Sequence, residues 1–177
     1  MNARAKLAAG VGAVTAIGAV GAVALAQGGG DFNGRLTGYQ EVPALSTSGH
    51  GTFRASIRSG GSAIRYRLTY AGLEAKPLQA HIHLGQPAVN AGVIVFLCDN
   101  TGAGPAGTQP CPDPPAAVRG TLHAADVIGP AAQGIDPGQF GELVRAIRAG
   151  ATYANVHTEK YPGGEIRAQL RRRGTSR

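Results

Sequence analysis

Thr52-Phe53-Arg54-Ala55-Ser56-Ile57-Arg58, followed by Ser59-Gly60-Gly61-Ser62 and then Ala63-Ile64-Arg65-Tyr66-Arg67-Leu68-Thr69-Tyr70, is the stretch that decides the fold. Phe53, Ala55 and Ile57 alternate with Thr52, Arg54, Ser56 and Arg58, and Ile64, Tyr66, Leu68 and Tyr70 alternate with Arg65, Arg67 and Thr69. A side-chain period of two belongs to a strand with one buried face, and a Gly-Gly turn between two such runs marks a hairpin. Working outward, shorter runs of the same kind lie at 32–37, 79–84, 93–97, 118–123, 152–157 and 165–170. One segment departs from the pattern. Asp136 and Pro137 stand where an N-cap and first helical residue belong, Phe140, Leu143, Val144 and Ile147 follow helical spacing, and Gly150 closes the run. The expected fold class is all-β, a Greek-key β-sandwich of about eight strands with one short helix of about three turns.

Composition agrees with this reading. The 177 residues suit one domain of ordinary size, and 43% are hydrophobic, with no Trp, so aliphatic side chains must fill the core. The 28 glycines and 11 prolines are spread between the alternating runs and indicate many turns. The net charge of +7 is concentrated at the two ends: Arg4 and Lys6 at one, Arg171, Arg172, Arg173 and Arg177 at the other. Residues 27–170 hold 11 basic and 10 acidic residues, so the body is close to neutral and the chain is not expected to bind nucleic acid. The basic tail, 171–177, reads as a solvated end able to touch anionic cell-envelope polymers.

The first 26 residues have the order of a secretory signal peptide. Two positive charges precede Leu7 to Ala26, a twenty-residue run without charge that ends in Ala24-Leu25-Ala26, an A-x-A cleavage pattern. The alternative is an uncleaved membrane anchor, the only membrane contact expected. Either address is extracytoplasmic, secreted or in the cell envelope. The expected organisation is a leader at 1–26, a linker at 27–31, the folded domain at 32–170 and the tail. Cys98 and Cys111 fit an oxidising compartment: they bracket a Gly/Pro-rich loop, have no C-x-x-C spacing, and are read as a structural disulfide.

Several motifs carry a family resemblance. Phe32 onward reads F-N-G-R-L-T-G-Y-Q-E-V-P; residues 80–83 read A-H-I-H; Leu122 to Val127 reads L-H-A-A-D-V; and 155–158 with 161–167 read N-V-H-T and Y-P-G-G-E-I-R. In this order they resemble the CHRD (chordin-type) domain, in its bacterial single-domain secreted form. His123 stands where Thr or Ser is expected, and the loop between the cysteines is longer than in minimal examples. The resemblance implies a secreted β-sandwich of the superoxide-dismutase or immunoglobulin-like kind. It implies no particular reaction.

Two residues apart on a strand share a face. His81 and His83 therefore line one side of their strand with Ala80, Ile82 and Leu84 on the other, and Tyr153, Asn155 and His157 oppose Ala154 and Val156. If these strands are neighbours, His81, His83, His157 and Glu165 converge on one outer surface. Imidazole suits copper and zinc, and three His ligands leave an open coordination position. His81-Ile82-His83 also resembles the copper-binding strand of Cu/Zn superoxide dismutases, although no further ligands complete a binuclear site. Glu165, Arg167, Asn155 and Tyr161 are the candidates for orienting the ligands, with Glu165 as an acceptor for a histidine and Arg167 in a surface ion-pair network. The competing reading has the histidines hydrogen-bonded to Thr158, Tyr161 and the Pro162-Gly163-Gly164 turn. His50 and His123 read as ordinary surface or packed residues, and Asp126 as a turn cap.

No G-x-S-x-G elbow, H-E-x-x-H helix, P-loop or dinucleotide-binding glycine pattern occurs, and no acid pair stands out, so no catalytic residue is assigned. Two functional readings remain. One is an extracytoplasmic binding or structural module whose partner is an extracellular protein or envelope polymer. The other is a copper- or zinc-binding protein with His81, His83 and His157 as ligands and dismutase-like redox activity as an extension.

Overall fold

The computed structural model describes residues 29–58 and 60–174; the leader, with its cleavage pattern, and the last three residues of the tail lie outside them. Nine strands form one antiparallel sheet: β1 (Gly30–Thr37), β2 (His50–Ile57), β3 (Ile64–Ala71), β4 (Pro77–Leu84), β5 (Val93–Asp99), β6 (Ala116–Leu122), β7 (Thr152–Thr158), β8 (Ile166–Gln169) and β9 (Arg171–Arg172). Their order is β5-β4-β7-β8-β1-β2-β3-β6, with β9 pairing β1. The path is continuous and nearly closed, and the Tyr66 hydroxyl of β3 donates to the Leu97 carbonyl of β5 at 2.9 Å across the gap. The inner faces of both halves meet in one core, as in a sandwich, built from Phe53, Leu68, Ile82, Ile94, Val156 and Ile166 among others.

The deciding hairpin forms as the alternation requires. Phe53 pairs with Leu68, Ala55 with Tyr66 and Ile57 with Ile64, all buried, while Arg54 and Arg67 pair on the exposed face. A slip of one residue would turn every one of these side chains to the opposite face, so burial fixes the register. The first sheet residue is Gly30, and β9 occupies part of the stretch read as tail: Asn33 pairs with Arg171 and Phe32 with Arg172.

The helix is shorter than expected. It is α1 (Phe140–Arg148), with Gln139 rather than Asp136 as N-cap. Gly138 has φ of 84°, which no helical residue adopts, so the helix cannot begin before it. Phe140, Leu143, Val144 and Ile147 are buried against the core as their spacing demands. Among the described residues no helix is long and apolar enough to cross a membrane.

Cys98 and Cys111 form a disulfide that closes the loop after β5. Inside it, Asn100 donates from Nδ2 to the Cys111 carbonyl at 2.8 Å and accepts at Oδ1 from the Cys111 amide at 3.0 Å. The Asp99 carboxylate accepts from the amides of Thr101 and Gly104. These bonds give the loop native partners, so the covalent link acts chiefly by restricting the unfolded chain. Replacing both cysteines by alanine is expected to lower stability by about 3 kcal/mol. Denaturant unfolding should show an earlier midpoint; an unchanged midpoint would mean that the loop contributes no closure entropy.

Candidate metal centre

The outer face of the β5-β4-β7-β8 half carries the chemistry. Register sets three rows across β4, β7 and β8: Gln79 with His157; His81 with Asn155 and Arg167; His83 with Tyr153 and Gln169. His81, His83 and His157 converge as the alternation predicts, each offering one ring nitrogen within 4.8 Å of the others. Strand-fixed backbones supply this convergence, since β4 lies directly between β5 and β7.

The surface is not open, however. His81 is only 3% exposed and His83 7%. Segments outside the strands cover the face: Arg167 donates to the carbonyls of Gln86 and Val89 and to Asn90 Oδ1, and Asn155 Nδ2 donates to Glu41 at 2.7 Å. On the β5 side the Phe96 ring meets His81 edge-on at 4.3 Å. The covering segments, around 38–48 and 85–92, have no periodicity and left no sign in the alternation of the strands.

Hydrogen bonds settle the tautomers. His83 Nδ1 donates to the Ala91 carbonyl at 2.9 Å and His157 Nδ1 to the Pro162 carbonyl at 2.9 Å, since a carbonyl only accepts. His157 Nε2 therefore carries a lone pair, and His81 Nδ1 donates to it at 3.1 Å. Every ring is thus protonated at Nδ1 and presents an Nε2 lone pair. The Nε2 atoms of His81 and His83 are buried with no hydrogen-bond partner. Burial also holds the rings neutral: His81 is pushed down to about 3, with help from His157 and His83, and His83 to about 4, while His157 is lowered by its own burial. Neutral imidazole is the metal-binding form.

The predicted orienting residues are redistributed. Glu165 does not reach the histidines. Its carboxylate accepts from Thr47 Oγ1 at 2.7 Å, Thr158 Oγ1 at 2.8 Å and the Glu74 amide at 2.9 Å. It precedes β8 and follows Gly164, whose φ of 127° breaks the strand geometry on which the parity argument relied. Arg167 is not part of a surface ion-pair network. It is 1% exposed and its guanidinium lies 3.4 Å from the Tyr153 ring centroid. Tyr161 donates to Glu74 rather than to a histidine, and of the expected turn partners it is the Pro162 carbonyl that orients His157. Asn155 stands in the row of His81 but spends its amide on Glu41. His50 bonds the Ser48 carbonyl, well apart from the cluster, and Asp126 caps its turn by accepting from the His123 amide.

Sequence reasoning missed Glu41, Tyr153 and Phe96. Glu41 lies within the Q-E-V-P segment, yet nothing in that string says that it folds over the sheet. Tyr153 stacks flat on His83, with centroids 4.6 Å apart and planes 2° from parallel, and accepts from the Ala91 amide. A cavity of about 190 Å³ beside Glu41, Arg167 and Gln169 adjoins this network.

The fold and the cluster together define a small disulfide-linked all-β domain with a buried polar face. The sequence profile of the CHRD domain matches residues 32–170, and the chain belongs to that family. No curated protein and no solved structure matches the chain.

Glu41 supplies a test of the covered face. It is 7% exposed, and burial pushes its carboxyl up to about 7, against the opposing pull of Arg167. Its folded-state pKa is above the ordinary 4.5, so its contribution is present below that pH and is lost as pH rises through about 7. The Glu41→Gln variant should gain on the wild type by about 2 kcal/mol between pH 5 and 8. Urea unfolding at both pH values measures this; a pH-independent difference would show that Glu41 is not buried as an acid.

Proposed function

We propose that this chain is an exported CHRD module that holds one copper or zinc ion in the cluster of His81, His83 and His157. The observation that carries the reading is the pair of buried, unpartnered Nε2 lone pairs beside a third imidazole. A buried polar atom without a partner costs about 1–3 kcal/mol, and native interiors rarely retain two in contact unless something else satisfies them. The donor chemistry narrows the ion. Three neutral imidazoles with no carboxylate or thiolate suit copper or zinc and offer little to calcium or magnesium. The Ala91 and Pro162 carbonyls fix the ring orientations, as second partners of ligand histidines do.

Each side chain has a definable part. His81 and His83 are set by β4, His157 by β7, and His157, the most exposed of the three, gives the way in. Three ligands leave a position for water or a small ligand, where a copper or zinc ion would supply Lewis acidity and copper would add redox chemistry. Export is supported by the leader pattern and by the disulfide, which persists in oxidising compartments.

The test is metal analysis of the protein expressed with its own leader and purified from outside the cytoplasm. The expected result is a chain beginning at Gln27 that carries about one equivalent of copper or zinc after exposure to both ions, with the metal lost in His81→Ala. Absence of metal after reconstitution would leave the histidines structural. Dismutase-type turnover requires the copper form first and is assayed on that sample.

A further inference from the structure

The half of the sheet opposite the histidines carries a second constellation. β1, β2, β3 and β6 turn alternate residues outward, and their register places Asn33, Arg54, Arg67 and Arg119 in one row straight across the four strands. Arg65 lies in the next row beside Ser56 and Thr121, and Arg35 in the row on the other side, with Thr52 and Thr69. All five arginines are exposed, and Asp31 is the one acid these strands turn outward. Among the described residues the ion pairs join Glu142 to Arg145 and Glu74 to Lys160, and neither lies here. The near-neutral body therefore has an unevenly charged surface: five arginines share this face with the single acid Asp31.

Like charges directly opposite on neighbouring strands destabilise a sheet. Arg54, Arg67 and Arg119 form two such pairs in succession, with strands about 4.8 Å apart, so the arrangement works against stability. A groove of about 480 Å³ covers its β1, β2 and β3 part, lined by Asp31, Asn33, Arg54, Arg65, Arg67 and Arg173. Arg173 comes from the segment after β9, whose pairing with β1 carries it to the rim.

We infer that this face binds an acidic polysaccharide, a polymer with carboxylates at regular intervals along a hydroxyl-rich chain. Guanidinium forks engage carboxylates with two parallel hydrogen bonds. Asn33, Ser56 and Thr121, interleaved with the arginines, supply neutral donors and acceptors for hydroxyls. Nucleic acid fits less well. Phe32, Phe53, Tyr66 and Tyr70 of these strands all point into the core, which leaves the His50 imidazole at one edge as the ring these strands turn outward, and no helix of the described residues projects from the face to enter a duplex groove. The inference is independent of the metal site, which lies on the other half of the sheet.

The full exported protein is titrated with an alginate oligosaccharide, with neutral dextran and single-stranded DNA of matched charge as comparisons. Alginate is expected to bind, more weakly as salt rises, and dextran not at all. The triple variant R54Q/R67Q/R119Q should lose about tenfold or more in affinity, whereas K76Q/R145Q/K160Q, with the same loss of charge elsewhere, should stay within about twofold. Relief of cross-strand repulsion should leave the triple variant at least as stable as the wild type. Should it fail to fold, R54Q and R119Q singly, each expected to cost about threefold, decide the matter. Equal losses in the two triple variants, or no alginate binding, would overturn the inference. DNA binding tighter than alginate at matched charge would overturn it in favour of nucleic acid.

Discussion

A guanidinium buried in a protein must have its donors satisfied, and the organisation of the covered face follows from how Arg167 meets that demand. Leaving such a charge unpaired inside costs several kcal/mol. Among the described residues no carboxylate comes within ion-pair distance of it. Arg167 instead lies flat on Tyr153 and gives its hydrogen bonds to the Gln86 and Val89 carbonyls and to Asn90 Oδ1. Those contacts pin an otherwise exposed loop across the sheet. The pinned loop delivers the Ala91 carbonyl to His83 Nδ1 and the Ala91 amide to the Tyr153 hydroxyl. A single buried cation thus fixes the loop, the loop fixes a tautomer, and the tautomer turns the His83 Nε2 lone pair toward the cluster. Glu41 completes the arrangement because it is close enough to feel Arg167 yet is held protonated by burial near neutrality.

One continuous sheet thereby presents two unlike outer faces. On β4, β7 and β8 the outward residues are histidine, asparagine, tyrosine and arginine, and loops cover them. On β1, β2, β3 and β6 they are mainly arginine, serine and threonine, and they remain in water. The difference lies in the connections. The hairpin between β2 and β3 is too short to fold back, whereas the segments after β1 and β4 run long enough to reach over β4, β7 and β8. Burial on both sides makes β4, β7 and β8 rigid, which suits a site that must hold ring nitrogens at fixed separations. The other face keeps long, mobile side chains, which suits a polymer with many equivalent contacts.

The sequence made the strands legible because alternation is a local property. The hairpin from β2 to β3, the H-x-H parity and the pairing of Arg54 with Arg67 can all be read from adjacent residues and one turn. Arg119 could not be added to that row, because it depends on β6 joining β3 from a distance of about fifty residues, and only register reveals it. Nor could burial of the histidine face be read, since it depends on loops without period. Glu165 misled for a third reason: parity was counted from Glu165 onward, whereas the strand begins at Ile166. The polar cover over the cluster is therefore a property of tertiary return, and its strand-borne members, His81, His83, Tyr153, Asn155, His157 and Arg167, could be placed on the right face beforehand.

The hydrogen bond from His81 Nδ1 to His157 Nε2 sets the terms on which an ion would enter. It occupies the Nε2 lone pair of the least buried of the three rings, and it stabilises the metal-free cluster by roughly 0.5–1.5 kcal/mol. Coordination by His157 requires that bond to break, which frees the His81 N–H in a buried place. His81 would keep that proton and offer the lone pair of its unpartnered Nε2. Loading would therefore cost the one hydrogen bond at His157 while using lone pairs at His81 and His83 that have no partner to lose. The metal-free cluster is in this sense a competitor to the loaded one, held together by the same three side chains.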